Sequence, residues 1–566
     1  MIGLIAVTAA GRVAAARLAA GWPGETREYQ GPAGRALPRA WAECDALVCF
    51  LATGAVIRLI APLLDSKQAD PAVVCVDEAG RYAVALTGGH AGGANELAAR
   101  TAAVLGAQPV ITTATDAAGL PGLDTLGWPA EGAVAAVSRG LLDGDPVALE
   151  YDQIWPLPPL PVAASRHTGP AAAAEPGFRI VVTDRVVAAD RRSVVLRPPS
   201  LVIGAGASRG VTAAEVLALA DSALAGAGLS PASVTALATV DAKAAEPGLV
   251  AAARQRGWPL VSYPAGRLAA IPVPTPSQAA LAAVGTPSVA EAAALAGAGE
   301  GELVVAKRKS AMATVAVARA RPRGRLAVVG LGPGARDLLA PRAAAELRRA
   351  SVVVGLGQYL GQIRDLLRPG TRILASELGA EEERARAALA QARRGHAVAL
   401  VSSGDAGVYA MASPALQEAG EDLDVVVVPG VTASLAAAAL LGAPLGHDHA
   451  VISLSDLLTP WEVIERRIQA AAEGDFVTVF YNPRSRGRDW QLGKALAMLA
   501  ACRPAATPAA VVRNASRSGQ RVVLTSLAAL DPQAVDMLSV VIVGAASTRV
   551  VAGRMVTPRG YAWQPA

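Results

Sequence analysis

The sequence predicts an α/β protein of several domains, in which helices pack on mainly parallel sheets. Short apolar runs alternate with alanine-rich stretches, hydrophobic residues make up 52% of the chain, and aromatic residues only 4%. An apolar run bounded by turn residues is typical of a buried parallel strand, and this composition suits helices on such sheets better than an aromatic-rich β-sandwich. The length of 566 residues is too great for one core and predicts about three or four domains.

Composition and charge argue against several classes of protein. The four cysteines show neither zinc-ligand spacing nor a disulfide framework, which favours a reduced, cytoplasmic protein; they are Cys44, Cys49, Cys75 and Cys502. His447 and His449 flank Asp448 without a third ligand group nearby, so we expect a polar loop and no metal site. The net charge of +5 includes no basic block interleaved with aromatics, so we expect no nucleic acid. Arginines suit a polycarboxylate small molecule equally well.

Membrane insertion and export are also not expected. No apolar run reaches the length of a membrane span. The N-terminus opens directly into the strand-like run Ile2–Val7, without a basic region or a cleavage site.

The first block, residues 1–130, alternates helical stretches with five strand-like runs: Ile2–Val7, Ala46–Leu51, Ala72–Val76, Tyr82–Leu86 and Pro109–Thr112. The turn Gly88-Gly-His-Ala-Gly-Gly93 feeds a helix, and N–H groups at such a helix start favour an anion. His90 is therefore either an acid or base beside a bound carboxylate or lactone, or a turn histidine bonded to local backbone. Asp116 follows another strand end, where it is either a site carboxylate or part of an N-cap cluster.

Two further blocks follow the first. Residues 131–199 contain a proline-rich stretch, residues 156–170, which we expect to be a connector, and then a β-rich piece, Arg179–Arg197. Residues 200–320 again alternate strands and helices, with strand-like runs at Leu201–Ile203, Val234–Thr239 and Leu260–Ser262. The segment Arg319-Ala-Arg-Pro-Arg-Gly-Arg325 is expected to be an exposed interdomain linker rather than a phosphate site.

The most informative stretch is Leu326-Ala-Val-Val-Gly-Leu-Gly-Pro-Gly334, a strand that empties into a glycine-rich turn. Alone it is a weak signal, and it lacks the dinucleotide-binding spacing. Four more motifs follow in order: Val401-Ser-Ser-Gly-Asp-Ala-Gly-Val-Tyr-Ala-Met411, Val428-Pro-Gly-Val-Thr-Ala-Ser434, Phe480-Tyr-Asn-Pro483 and Val512-Arg-Asn-Ala515. Together they resemble the tetrapyrrole methylases, which take methyl groups from S-adenosylmethionine, and within them the precorrin-3B C(17)-methyltransferases of cobalamin synthesis.

This resemblance implies, for residues 325–566, a fold of two α/β subdomains with the cofactor in the cleft between them, and a homodimer formed through this domain. The implied cofactor-binding residues are Pro333, Gly404, Asp405, Ala406, Val408, Tyr409, Thr432, Ala433, Ser434, Tyr481, Asn482, Asn514 and Ala515. Gly332, Gly334, Asp456 and Arg484 are implied on the substrate side. Taken singly, Asp405 and Ser434 are equally typical of helix N-caps, and Tyr409 and Tyr481 of core aromatics. Ala406 and Leu356 stand where relatives often have proline and tyrosine.

The first three blocks carry a second resemblance. The segments around His90, with Thr239-Val-Asp-Ala-Lys-Ala-Ala-Glu-Pro-Gly248, Gly285-Thr-Pro-Ser-Val-Ala-Glu291 and Val305-Ala-Lys-Arg-Lys-Ser-Ala-Met312, are similar to CbiG, the cobalt-precorrin-5A hydrolase family, and to its CobE-like C-terminal domain. This implies the opening of a lactone with release of acetaldehyde, which needs a base, a water and oxyanion donors. His90, Asp116, Asp241 and Lys243 are the candidates, and all four remain open.

In the CobE-like domain, Arg209, Lys307 and Lys309 are candidates for contacts with substrate carboxylates, although Lys307 and Lys309 are equally typical of surface lysines. Ala207 stands where the family usually has a cysteine, which argues against a thiol role there. Two interpretations of this half follow. It is either the hydrolase, or a non-catalytic module that binds a corrinoid intermediate. The expected small-molecule partners are precorrin-3B or cobalt-precorrin-3 for the C-terminal block, and cobalt-precorrin-5A for the first three.

Overall fold

A computed structural model describes residues 1–66, 69–89, 92–166, 177–299, 301–485 and 487–561. The chain forms two compact units, the first with the sixteen strands β1–β16 and the second with β17–β29. No helix within the described residues is long and apolar enough to cross a bilayer.

The first sheet has six strands in the order β2-β1-β3-β4-β5-β6, and only the β4–β5 pair is antiparallel. Leu4 packs in the core on one face and Ile5 in the core on the other, because successive strand residues point to opposite sides. The elements are β1 (Ile2–Ala6), α1 (Ala9–Gly21), β2 (Thr26–Tyr29), α2 (Ala33–Glu43), β3 (Ala46–Phe50), α3 (Thr53–Ile60), β4 (Ala72–Val76), β5 (Tyr82–Thr87), α4 (Ala94–Leu105), β6 (Gln108–Val110) and α5 (Ala114–Ala117).

The second sheet runs β7-β11-β10-β8-β9, with β7 antiparallel to β11. Its elements are β7 (Ala130–Gly132), α6 (Val134–Asp143), β8 (Val147–Tyr151), β9 (Ala163–Arg166), β10 (Phe178–Val182) and β11 (Ser193–Leu196). The prediction of a connector over residues 156–170 was wrong for β9, which pairs in parallel with β8. The prolines that precede β9 are typical of a connector, and they led to that prediction for the whole stretch.

The third sheet runs β14-β13-β12-β16-β15 and carries helices on both faces. Helix α11 lies so close to β12 that a Cβ on Gly204 would be 1.9 Å from the carbonyl oxygen of Ala290. The elements are β12 (Leu201–Ala207), α7 (Ala213–Gly226), β13 (Val234–Val240), α8 (Pro247–Arg256), β14 (Leu260–Tyr263), α9 (Ala265–Ala269), α10 (Gln278–Val284), α11 (Val289–Ala298), β15 (Glu302–Lys309) and β16 (Ala313–Arg319).

The second unit begins with a five-stranded sheet, the first subdomain, in the order β19-β18-β20-β17-β21, and every pair in it is parallel. Its strands are near-continuous runs of valine, leucine and alanine, as expected of strands covered on both faces. The elements are β17 (Arg325–Gly330), α12 (Pro341–Arg349), β18 (Val352–Leu356), α13 (Gly357–Ile363), β19 (Arg372–Ser376), α14 (Glu381–Arg393), β20 (Ala397–Ser402), α15 (Ala412–Glu418) and β21 (Asp424–Val428).

The second subdomain is a mixed sheet in the order β23-β24-β27-β25-β26, beside a small sheet β22-β29-β28. Its elements are α16 (Ala433–Leu441), β22 (Gly442–Ala443), β23 (His449–Ser453), α17 (Trp461–Glu473), β24 (Val477–Tyr481), α18 (Gln491–Cys502), β25 (Pro508–Arg513), β26 (Arg521–Ser526), β27 (Ser539–Val543), β28 (Arg549–Val551) and β29 (Arg554–Val556). The prediction of several α/β domains, the last with two subdomains, is confirmed.

The expectation that residues 319–325 form an exposed linker was wrong at both ends. Arg319 ends β16 and donates to both carboxylate oxygens of Asp184, at 2.7 and 2.9 Å. Arg325 begins β17 and donates to Glu346 and Asp424. Both side chains are mostly buried, since strand pairing places them against carboxylates.

Candidate functional site

Three loops meet at the carboxyl ends of β17, β20 and β21, and each has a glycine at the meeting point. The backbone N–H of Gly332 donates to the carbonyl oxygen of Gly404 at 3.0 Å, and the N–H of Gly404 donates to the carbonyl oxygen of Gly332 at 2.8 Å. A Cβ on Gly430 would lie 2.2 Å from the carbonyl oxygen of Gly404, and one on Gly330 would lie 2.7 Å from it. The loops therefore approach this closely only because glycine occupies both positions.

The carboxylate of Asp405 holds two of these loops together. Its Oδ1 accepts from the backbone N–H of Gly407 at 2.8 Å, and its Oδ2 accepts from the N–H of Gly430 at 3.0 Å. Asp405 is not a helix N-cap, because the next helix begins only at Ala412. The carboxylate of this predicted cofactor-binding residue thus holds the loops in place.

The hydroxyl of Tyr481, at the end of β24, caps the start of α16. It accepts from the N–H of Ser434 at 2.7 Å and shares a 2.5 Å hydrogen bond with the hydroxyl of Thr432. Thr432 is the N-cap position of α16, so the N-cap interpretation of Ser434 was off by two residues. Tyr481 supplies the oxygen that a capping side chain usually provides, and so three predicted cofactor-binding residues form one cluster.

Tyr409 is not a core aromatic, since its side chain is 56% exposed. Its hydroxyl donates to the carbonyl oxygen of Val451 at 2.9 Å, and its ring centroid lies 5.4 Å from that of Tyr481. The residue thereby reaches from the loop after β20 in the first subdomain to β23 in the second.

Left-handed backbone concentrates in the predicted motifs. Among the described residues, six that are not glycine have a positive φ. Three of them, Tyr409, Asn482 and Asn514, lie in these motifs, and Ser516 directly follows the last motif. Such conformations cost energy, and they cluster where a site imposes them. Asn482 is fixed further by a hydrogen bond from its Nδ2 to the hydroxyl of Ser453, at 3.1 Å.

Arg517 connects the glycine-rich turn with the loop after β20. It donates to the carbonyl oxygen of Pro333 and to the hydroxyl of Ser403. Gly334, with φ of +136°, leaves room for it, because a Cβ there would lie 2.6 Å from the Cγ of Arg517. Of the other predicted cofactor-binding positions, Ala406 and Ala515 are buried, while Val408 and Ala433 are partly exposed.

Of the predicted substrate-side residues, Gly332 and Gly334 follow β17 in the first subdomain. Asp456 and Arg484 lie in the second subdomain, as do two residues that the sequence patterns did not indicate, Arg488 and Gln491. Asp456 accepts from the Nε2 of the buried Gln491 at 2.8 Å, and Arg484 donates to the carbonyl oxygen of Gln533 at 2.6 Å. Arg488 is one of three arginines within residues 484–488, and the sequence gives no signal that distinguishes it from its neighbours. Gln491 had no signal, since a glutamine at a helix start is ordinary.

In the first unit, Asn95 gathers part of the predicted hydrolase site. Its Nδ2 donates to the hydroxyl of Thr113 and to the carboxylate of Asp116, both at 3.0 Å. Thr113 is the N-cap position of α5, and Asp116 lies within that helix. The side chain of Thr113 makes no capping hydrogen bond, so the N-cap interpretation of this cluster was wrong. His90 lies outside the described residues.

The other candidates of this unit surround one edge of the third sheet. Asp241 and Lys243 form a turn directly after β13, and Arg209 follows β12. Lys309 ends β15 at the same edge, because β16 runs antiparallel to β12. Lys307 is already engaged, since its Nζ donates to the carbonyl oxygen of Thr275. The candidates therefore lie on two different sheets. Asp116 follows a strand of the first sheet, and Asp241 and Lys243 follow a strand of the third.

The hydrogen bonds at this edge fix the loops and leave Arg209 and Asp241 exposed. Glu246 accepts from the N–H of Gly210 at 2.8 Å and lies 3.8 Å from the Nζ of Lys243. No group of three or more His, Cys, Asp or Glu within the described ranges is arranged to hold a metal ion.

Comparison with known proteins finds three family models along the chain. Residues 35–116 match "Cobalamin synthesis G N-terminal" and residues 201–318 match "Cobalamin synthesis G C-terminus". Residues 325–531 match "Tetrapyrrole (Corrin/Porphyrin) Methylases".

Individual relatives match the C-terminal region. The chain is 48% identical over 239 residues to the probable cobalt-factor III C(17)-methyltransferase of Salmonella typhimurium, covering 42% of this chain and 99% of that protein. It is 42% identical over 248 residues to the precorrin-3B C(17)-methyltransferase of a Sinorhizobium species, covering 42% and 97%. A crystal structure of the methyltransferase CobJ matches with 40% identity and a TM-score of 0.40, over 42% of this chain and all of that one.

Proposed function

Since the C-terminal region of this chain belongs to the tetrapyrrole (corrin/porphyrin) methylase family, we propose that it methylates C(17) of a corrinoid precursor in cobalamin biosynthesis, with contraction of the ring. The substrate is precorrin-3B or cobalt-precorrin-3. The observation that carries this proposal is the 48% identity to a C(17)-methyltransferase of which the chain covers 99%.

S-adenosylmethionine supplies an activated methyl group, which passes to a carbon nucleophile in an in-line displacement. Such a transfer needs alignment and exclusion of water more than it needs acid or base groups. The glycine loops at 330–334 and 404–407 and the Tyr481–Thr432–Ser434 cluster provide a rigid frame for this task. The hydroxyl oxygen of Ser402, buried at the end of β20 with no hydrogen-bond partner among the described residues, fits a site completed by a polar ligand.

The test is mass spectrometry of purified protein incubated with S-adenosylmethionine and either substrate. One added methyl group on either tetrapyrrole supports the proposal and identifies the pathway branch. Absence of the product with both tetrapyrroles, when calorimetry shows that S-adenosylmethionine binds, would contradict methylation of these substrates at C(17).

We also propose that the first unit is a hydrolase that opens the lactone of cobalt-precorrin-5A and releases acetaldehyde. Its support is the pair of cobalamin synthesis G models at residues 35–116 and 201–318. In this proposal, residues 325–566 form the methyltransferase, and residues 1–130, 131–199 and 200–320 form the hydrolase. Asp116, held by Asn95, and Asp241 are its candidate bases, with Lys243 as a donor for the developing oxyanion.

A second candidate function for this unit is a non-catalytic corrinoid-binding module, which Ala207 favours because the family usually has a cysteine there. Acetaldehyde release from cobalt-precorrin-5A separates the two. The hydrolase requires release by the wild type. A rate at least tenfold slower in Asp116→Asn or Asp241→Asn would identify that residue as the general base, whose loss typically costs ~10²-fold. Binding of the corrinoid without release would favour the module.

The homodimer expected from the family likeness remains part of the proposal for the second unit. Light scattering of the full chain tests it, because a dimer has twice the 57.0 kDa mass of one chain.

A further inference from the structure

A cluster of polar side chains lies beyond the predicted cofactor residues, at the carboxyl ends of β23 and β24. These two strands are parallel neighbours, with Ser453 opposite Tyr481. Ser455 and Asp456 follow β23, Asn482 follows β24, and Arg488 and Gln491 come from the loop and helix after it. Ligands of open α/β folds bind at this edge of a sheet.

Arg488 is the centre of this cluster, and the side-chain hydrogen bonds that it makes to described residues all go to neutral groups. It donates to the carbonyl oxygen of Asn482 at 3.1 Å, to the hydroxyl of Ser455 at 3.4 Å and to the sulfur of Met537 at 3.4 Å. Within the described part of the chain, its buried Nε has no hydrogen-bond partner and no ion pair includes Arg488.

Burial lowers the pKa of Arg488, while the negative charge of Asp456 favours its protonated form. Asp456 does not neutralise it directly, since its carboxylate is held by Gln491 at 2.8 Å. Gln491 is itself only 1% exposed and its Oε1 has no hydrogen-bond partner among the described residues. A buried cation with a free N–H is costly unless an acceptor such as a carboxylate satisfies it.

We propose that Arg488 binds a carboxylate of an acetate or propionate side chain of the tetrapyrrole, and that Gln491 positions the loop of Asp456 beside it. This inference rests on the proposed methyltransferase and deepens it by naming an anchor for its substrate. A guanidinium offers two parallel N–H donors that match a carboxylate, and a partly buried pair of this kind discriminates strongly against a neutral group. The carboxylate of the methyl donor is the other source of this chemistry, so the test must separate the two.

The experiment compares the full-length wild type with Arg488→Gln, Arg488→Lys and the control Arg466→Gln, whose arginine is exposed on α17. Calorimetry measures the Kd of S-adenosylmethionine, steady-state kinetics give KM and kcat for the tetrapyrrole, and absorption titration measures tetrapyrrole binding directly. We expect Arg488→Gln to raise KM about 10- to 100-fold, since a hydrogen-bonded charged group contributes about 1.5–3 kcal/mol, with an unchanged Kd for the methyl donor. Arg488→Lys should recover part of the loss, because it keeps the charge without the fork.

A second arm uses the tetrapyrrole with its carboxylates converted to methyl esters. The wild type should bind the ester much more weakly than the acid, and Arg488→Gln should bind the two more equally. An unchanged KM in a folded Arg488→Gln variant would overturn the inference while leaving the methyltransferase intact, and so would a weaker Kd for the methyl donor alone. If the wild type methylates neither substrate, the proposed function fails, and the acid-versus-ester titration still decides whether Arg488 binds a carboxylate.

Discussion

The hydroxyl of Tyr409 donates a 2.9 Å hydrogen bond to the carbonyl oxygen of Val451, which joins the first subdomain of the second unit to the second. Tyr409 adopts a left-handed backbone, with φ of +51°, in doing so. An exposed tyrosine gains little free energy from burial, and a left-handed backbone costs free energy. We therefore infer that Tyr409 serves to position the residues that it contacts. The contact therefore links the loop after β20 to the strand that precedes the Arg488 cluster.

Removing this hydroxyl should affect turnover more than stability. We expect Tyr409→Phe to lose less than about 1 kcal/mol of unfolding free energy, since the bond is solvent-accessible. The kcat/KM for methyl transfer should fall about tenfold, because small displacements of a reacting pair are costly. Denaturant titration and steady-state assays measure both, with Tyr359→Phe on α13 as the control. Equal losses in the two variants would argue against a positioning role.

The meeting of the three glycine loops makes Gly430 intolerant of any side chain. A Cβ there would lie 2.2 Å from the carbonyl oxygen of Gly404, so we expect Gly430→Ala to cost about 1–3 kcal/mol by overpacking and to weaken binding of S-adenosylmethionine. The matched control is Gly361→Ala in α13, where a Cβ would meet nothing within 4 Å. It should be neutral or slightly stabilising. Calorimetry and thermal unfolding provide the measurements, and normal binding by Gly430→Ala would contradict the steric argument.

The hydroxyl of Tyr481 also has a measurable role. In Tyr481→Phe, the N–H of Ser434 loses its acceptor, and an unsatisfied, partly buried N–H costs about 1–3 kcal/mol. We expect a lower unfolding free energy for the second unit and weaker binding of the methyl donor, because Thr432 loses the same partner. Scanning calorimetry of the full chain reports the first effect. A variant as stable as the wild type would show that water replaces the hydroxyl.

Glu291 should make the first unit sensitive to acid. Burial alone would raise the pKa of this carboxyl, but hydrogen bonds from the N–H of Lys307 and from Thr275 lower it below its usual value. A lowered folded-state pKa contributes stability that is present above the unfolded-state value of about 4.3 and is lost as pH falls through the folded-state pKa. Glu291→Gln should destabilise this unit by about 2–3 kcal/mol at neutral pH.

Calorimetry of the full chain between neutral pH and about pH 3, around the ordinary carboxyl pKa, checks this prediction. The difference between Glu291→Gln and wild type should shrink as the pH falls, since the wild-type carboxylate is then protonated. Glu28→Gln, at an exposed position of β2, should show no such trend. A pH-independent difference would indicate that packing, not charge, is what Glu291 contributes.

Much of the fold follows from short-range patterns. The strand Ala72–Val76 was predicted to the residue, and Leu326–Val329 differs from β17 by one residue at each end, because continuous apolar runs between turns leave few alternatives. The strand β9 was not predicted, because its own four residues carry no strand pattern. It is a strand because it pairs with β8, which lies earlier in the chain.

The site was predictable only in part, and for a similar reason. The glycines and Tyr481 stand in motifs whose spacing is visible, whereas the side-chain partners of Arg488 come from Ser455 and Met537, far apart in sequence. The motif singles out Asp405, but the contact of its carboxylate with the N–H of Gly430 depends on how the loop after β21 approaches it. Sequence patterns indicate which residues are near a site more readily than which atoms face it.

The left-handed residues have a consequence for how this domain tolerates variation. At Asn514 and Ser516, the positive φ of the backbone limits which replacements are allowed. In a saturation library at these positions, survivors should rank by ease of adopting positive φ, with glycine and asparagine first and β-branched residues last, whatever their size or polarity.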